Sequence, residues 1–113
     1  MEKIAKPWGY ELIWAHTDSY VGKILSINAG ERLSLQYHHI KDETIYVTKG
    51  VLLFTFGDDI ENLEIMEMLP GEVYHIRPGM IHQMEAIKDC EIFEVSTDHL
   101  SDVVRLKDDY GKI

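Results

Sequence analysis

Five turn signals cut this chain into short apolar runs: Asn28-Ala29-Gly30, Lys49-Gly50, Gly57-Asp58-Asp59, Pro70-Gly71 and Pro78-Gly79. Glycine supplies the positive φ and proline the fixed φ that tight turns require, so the chain is expected to reverse near each of them. The runs between are mostly β-branched or aromatic, which is a strand pattern. Candidate strands are Tyr10–Ala15, Tyr20–Asn28, Leu33–His38, Thr44–Thr48, Val51–Phe56, Leu63–Met68, Glu72–Ile76, Ile81–Ala86 and Glu91–Ser96. The segment His99–Lys107 reads as a short helix or an edge strand. Many short strands at close spacing predict an all-β fold, a small barrel or double-sheet jelly roll with a short C-terminal tail.

The 113 residues suit one domain, 1–113, large enough to bury a core without staples. Net charge is -9 and the eleven Lys and Arg are scattered, which argues against nucleic acid and leaves small molecules or proteins as partners. Cys90 is alone, so no internal disulfide forms and a reducing compartment is expected. No apolar run approaches the ~18 residues of a membrane span, and MEKIAKPWG has no signal-peptide core. A soluble, cytoplasmic protein without membrane contact is the expectation.

One polar cluster interrupts the strands. In Leu33–His38 alternate side chains face opposite ways, so Gln36 and His38 share a face. Ile40-Lys41-Asp42 then reads as a turn that returns Glu43 beside His38, and His82 opens a strand just after Arg77-Pro78-Gly79. An amide oxygen, two imidazoles and a carboxylate from two hairpins can close around one divalent cation, with Zn²⁺, Mn²⁺, Fe²⁺, Co²⁺ and Ni²⁺ all compatible. On spacing alone, a hydrogen-bonded polar group without metal is an equal reading.

The spacing resembles the cupins, whose first motif is G-x5-H-x-H-x4-E-x6-G. Gly30, Gln36, His38, Glu43 and Gly50 fall in its register, with Gln36 at the first His position, so the motif spans 30–50. In the second, G-x5-P-x-G-x2-H-x3-N, Gly71, Gly79 and His82 match, Arg77 stands for Pro and Ala86 for Asn, over 71–86. Gln for the first His is similar to the C-terminal domain of type II mannose-6-phosphate isomerases. That domain has an opening like PWG-x-YE, a core like LSLQ-x-HHHR-x-E and an ending like VR-x-x-D-x-YGR. This chain supplies Lys6 to Glu11, Leu33 to His39 and Val104 to Gly111 at those places. It departs at Ile40, Lys41, Thr44 and Lys112. The nucleotidyltransferase region that often precedes the module is not in this sequence, which predicts that guanylyl transfer is not its reaction.

The resemblance implies a double-stranded β-helix holding one divalent metal, zinc first, on Gln36, His38, Glu43 and His82. It implies isomerisation of mannose 6-phosphate or a related sugar phosphate through an enediol, which needs a base near C2 and positive charge where the oxyanion develops. Lys41, Arg77 and above all Arg105 are the expected phosphate contacts. Candidate bases are His75, Glu85 and Lys107; His39 is disfavoured by strand parity. A non-catalytic cupin that binds a sugar or sugar nucleotide is the alternative, and a metal oxygenase a more distant one, because Gln36 is foreign to its all-imidazole and carboxylate ligand set. Trp8 is expected to cap a barrel end, Trp14 to pack as an alternating strand residue, and Met66, Met68, Met80 and Met84 to fill the core or rim. Exposed strand edges predict a homodimer whose partner completes the pocket.

Overall fold

The computed structural model describes residues 1–110 as a single curled antiparallel sheet of nine strands without helix. In chain order the strands are β1 (Glu2–Lys6), β2 (Gly9–His16), β3 (Val21–Ile27), β4 (Leu35–Tyr37), β5 (Glu43–Gly57), β6 (Glu64–Met68), β7 (Val73–Ile76), β8 (Ile81–Ser96) and β9 (Val104–Lys107). The all-β jelly-roll expectation holds.

The partition of the strands differs from the one the sequence suggests. Thr44–Thr48 and Val51–Phe56 are one strand, β5, and Ile81–Ala86 and Glu91–Ser96 are one strand, β8. These two pair along almost their whole lengths, with register shifts at Val47/Lys49, Lys49/Val51 and Val51/Leu52. Each shift adds a bulge, bending the ribbon without ending it, which is how a flat pair curls into a barrel wall. Gly50 sits in that corner with φ +89°, and a Cβ there would lie 2.2 Å from the Asp89 carbonyl oxygen. Only glycine satisfies both conditions, so Gly50→Ala is expected to cost on the order of 2 kcal/mol or more, read as a fall in the urea midpoint; an unchanged midpoint refutes it.

β1 escapes sequence reading because Glu2-Lys3-Ile4-Ala5-Lys6 has a single β-branched residue; its pairing with β2 makes it a strand. The His99–Lys107 segment resolves toward an edge strand, with β9 closing on β4 through Gln36 and Arg105.

The inward face is divided. Around the bend, Ile27, Ile45, Val47, Leu52, Phe54 and Ile92 form a buried core. Phe54, Phe56 and Tyr74 pack ring on ring there, with centroids 5.0 to 5.7 Å apart. Each such aromatic buries roughly 150–250 Å². Trp8, Met68 and Met84 are buried as expected, and Met66 and Met80 pack against them. Trp14 does not pack inward: its indole is 47% exposed and lies over Gly22 on the outer face, where any Cβ would meet it at 2.6 Å. It shares the face of Leu12, two residues earlier, opposite the cavity face that carries Glu11, as strand alternation requires. Cys90 is buried, and burial pushes its thiol up, away from reactivity.

Candidate metal centre

At the other end the strands enclose a cavity of about 400 Å³. His38 follows β4, Glu43 opens β5 and His82 lies near the start of β8. Gln36 is the cross-strand partner of His82 on one side and of Arg105 on the other. Alternation therefore aims Ser34, Gln36 and His38 at the cavity, and all three line it. The second turn is tied to the first by the Gly79 amide, which donates to the His38 carbonyl at 2.7 Å.

His38 Nε2, His82 Nε2 and the Glu43 carboxylate converge, one atom of each lying within 4.8 Å of the others. His38 Nε2 is 3.2 Å from Glu43 Oε2 and His82 Nε2 is 3.9 Å from Glu43 Oε1. All three residues are at most 3% exposed. The Nδ1 atoms face away: His38 Nδ1–H donates to the Asp102 carbonyl at 2.6 Å and His82 Nδ1–H to the Met80 carbonyl at 2.9 Å. That fixes the tautomer in which each Nε2 carries a lone pair into the cavity. Both Nε2 atoms and Glu43 Oε2 are buried without a well-directed hydrogen bond. Orphaned buried acceptors are costly, and two imidazole lone pairs converging on the Glu43 carboxylate, which Lys41 also faces, fit a cation. The donor set of two imidazole nitrogens and a carboxylate is one that a divalent metal accepts. Gln36 Oε1 accepts from Ser34 Oγ–H at 2.6 Å, which orients the amide and leaves its second lone pair free.

Charge lines the rest of the cavity. Lys41 Nζ bridges Glu43 Oε2 at 3.0 Å and Glu94 Oε2 at 3.2 Å, and Lys23 lies 3.5 Å from Glu11. Burial would drive Lys41 toward the neutral amine, but Glu94 and Glu43 outweigh it and hold the ammonium. Burial pulls the Glu43 carboxyl up, and His38, Lys41 and His82 overcome it, leaving it at about 2. Burial pushes His82 down, toward the neutral imidazole that a metal ligand would have to be. Glu94 goes the other way, raised by burial and by Glu43 despite Lys41 and Lys23.

The expected phosphate contacts separate. Arg105 lines the cavity mouth; Lys41 lines the wall but is buried between two carboxylates; Arg77 sits in an exposed turn away from the lining. The candidate bases do not line the cavity: His75 pairs with Asp42 at 2.6 Å on the outside, Glu85 lies 3.6 Å from Arg32, and Lys107 is exposed on β9. His39 is also outside, its ring edge-on to Tyr37. Gly111 and Lys112 of the C-terminal block lie outside the described residues.

Sequence reasoning missed Asp102, Glu94, Lys23 and Glu11. Asp102 accepts from the backbone N–H of His39 at 3.0 Å, Ile40 at 2.7 Å and Lys41 at 2.8 Å, while its carbonyl holds His38. Those amide donors depress its carboxyl far below the usual range. Nothing local to residue 102 announces this. The other three had a signal: each is a charge at an inward position of an otherwise apolar strand, as in Val21-Gly22-Lys23-Ile24-Leu25.

Comparison with known proteins fits this geometry. Residues 1–108 match the family model described as "Mannose-6-phosphate isomerase C-terminal". The chain belongs to that family. It is 32% identical over 117 aligned positions to the mannose-1-phosphate guanylyltransferase of Escherichia coli K12, covering 98% of this chain and 23% of that protein. It is 29% identical to the xanthan biosynthesis protein XanB of Xanthomonas campestris, covering 97% of this chain and 24% of that one. The chain thus spans about a quarter of the length of these relatives. Among solved structures, oxalate decarboxylase from Bacillus subtilis superposes with a TM-score of 0.79 at 18% identity, over 93% of this chain and 30% of that one. KdgF from a Halomonas species superposes with a TM-score of 0.75 at 17% identity, over 86% and 87%. The fold is a cupin. Among the described residues no helix is long and apolar enough to cross a membrane.

Proposed function

We propose that this family member is a metal-dependent cupin for sugar phosphates, and that its reaction is aldose–ketose isomerisation of mannose 6-phosphate or a close relative. The observation that carries the reading is the pair of orphaned Nε2 atoms on His38 and His82 converging on the Glu43 carboxylate, with both imidazole tautomers locked toward the cavity. His38, Glu43 and His82, with Gln36 as fourth donor, would hold the divalent metal, zinc first. When bound, such an ion supplies Lewis-acid polarisation of a carbonyl or hydroxyl oxygen.

The chain's own groups divide the remaining work. Arg105 presents a forked guanidinium at the cavity mouth, suited to a phosphate. Lys41 stays charged beside Glu43 and contributes positive potential where an oxyanion would develop. Glu94 Oε2 is the cavity carboxylate whose surroundings raise its proton affinity, the property required of a group that takes the C2 proton and returns it at C1. Relatives named for mannose 1-phosphate and for xanthan synthesis support a sugar phosphate or sugar nucleotide as ligand.

The decisive experiment follows exchange of the C2 proton of mannose 6-phosphate and related sugar phosphates in D₂O by NMR, with Zn²⁺, Co²⁺ or Mn²⁺ loaded protein. Exchange above background, lost in His82→Ala, is expected. A metal-replete protein that exchanges with none of them, yet is thermally stabilised by a sugar phosphate, would replace isomerisation with a non-catalytic binding role. The absence of His75, Glu85 and Lys107 from the cavity wall is what favours that second reading.

A further inference from the structure

Six strands of the sheet follow one another in the order β1-β2-β3-β8-β4-β9, and the curl brings both ends of that path to one opening. Lys6 of β1 and Arg105 of β9 line the same cavity as His38 and Glu43. Exposure separates mouth from floor. Lys6 is half-buried and the Arg105 side chain is 38% exposed, whereas His38, Glu43 and His82 are at most 3% exposed.

These two cations differ from the others in the lining. Lys23 is held by Glu11, and Lys41 by Glu43 and Glu94. Arg105 Nε lies 4.0 Å from Asp108, and Lys6 has no ion-pair partner among the described residues. The backbone that carries Lys6 is nonetheless fixed. Lys6 enters the two-residue turn Pro7-Trp8 between β1 and β2, and Trp8 is buried in the core. The Trp8 carbonyl accepts from the Asn28 amide at 2.9 Å, and Gly9 sits so close to Ser26 that a Cβ would overlap its carbonyl oxygen. A lysine on a rigid turn, facing a cavity without a counter-ion, is preorganised for an anion. In a chain of net charge -9 the overall field repels anions, so capture requires such a local pair of cations.

We propose that Lys6 and Arg105 are the two jaws of a phosphate subsite at the mouth, which seats a sugar phosphate with its phosphate outward and its carbonyl end toward His38, Glu43 and His82. The inference rests on the sugar-phosphate reading above and narrows it to a monosaccharide whose phosphate lies at the far end from the reacting carbons. A phosphate monoester carries about -1.5 to -2 at pH 7 and three acceptor oxygens, which a guanidinium fork and an ammonium on separate strands can share. The cavity of about 400 Å³ is near the small end of the roughly 300–1,000 Å³ range of ligand pockets, a size for one such sugar. A nucleotide attached to the phosphate would have to lie outside the mouth. A phosphate on C1 would leave the reacting carbons at the jaws, away from the metal donors, so sugar 1-phosphates are excluded as substrates.

Titration calorimetry in EDTA, with mannose 6-phosphate as the probe, reads the subsite without metal. Lys6→Met and Arg105→Met are each expected to weaken binding roughly ten- to hundredfold, the worth of a hydrogen bond to a charged group, while Lys6→Arg keeps most of the affinity. Lys6→Gln replaces Lys6→Met if circular dichroism shows that variant unfolded. Inorganic phosphate is expected to shift backbone amide resonances on β1 and β9 alone, and mannose 6-phosphate to move those beside His38 and His82 as well. A folded Lys6→Met that binds as tightly as wild type overturns the proposal, as does a wild type that binds neither probe. Inorganic phosphate that moves the His38 and His82 amides instead of the edge strands overturns the polarity. Affinity lost in the Lys6 variant, in a protein that exchanges no C2 proton, upholds the subsite and removes only the isomerase chemistry.

Discussion

His82→Ala is expected to abolish stoichiometric retention of a divalent metal after dialysis, measured by elemental analysis, and to erase metal-dependent thermal stabilisation. Wild-type protein should gain about 4 kcal/mol when free metal exceeds its dissociation constant a thousandfold, because binding to the folded state alone contributes RT ln(1 + [L]/Kd). The loss follows from geometry. His82 is 1% exposed, its Nδ1–H is committed to the Met80 carbonyl, and its Nε2 has no role among protein groups. Removing it takes away one of the three buried donors and leaves the folding core around Phe54 and Ile92 in place. His75→Ala, on the outer surface and paired with Asp42, serves as the control and should keep its metal. Full metal content in the His82 variant would reduce the triad to a structural polar cluster.

The second large effect concerns stability without metal. Lys41→Met keeps the bulk of the side chain but strands Glu43 and Glu94 as like charges, both at most 4% exposed and without their shared ammonium. Breaking a buried ion pair in this way costs roughly 3–5 kcal/mol. In a domain of this size that lowers Tm by on the order of 10–20 °C, measurable by calorimetry in EDTA. Lys41→Met combined with Glu94→Gln should recover much of the loss, because one of the two buried charges is gone. If Lys41→Met alone melts with the wild type, Glu94 must already be protonated in the folded protein, and the three-group ion cluster would be refuted.

The limits of reading this sequence were physical. The convergence of the candidate donors was legible because strand alternation is local: Gln36 and His38 two apart had to share a face, and Pro78-Gly79 had to turn the chain just before His82. The strand ends were less legible, because a bulged strand that passes through Gly50 carries a turn residue in mid-course and reads as two. Ile87-Lys88-Asp89 misled in the same way, a polar stretch that is the bend of β8. The neighbours of the site were hidden for another reason. Asp102 acts through its backbone carbonyl and through amides more than sixty positions away, and neither leaves a mark on residue type. Lys41, read as an exposed phosphate contact, is instead held in the wall by Glu94, a partnership fixed only when β8 pairs with β5.

The bond from His38 to the Asp102 carbonyl gives this centre a birth order. A chain emerging from the ribosome has its first imidazole early, and its second when β8 is made, but the group that points the first one inward arrives only with residue 102, and β9 seals β4 afterwards. During synthesis the barrel can close around its apolar end while the His38 imidazole still lacks the carbonyl that orients it. Any divalent ion that the proposed site takes up would then find its donors aligned only after nearly the whole domain has been translated.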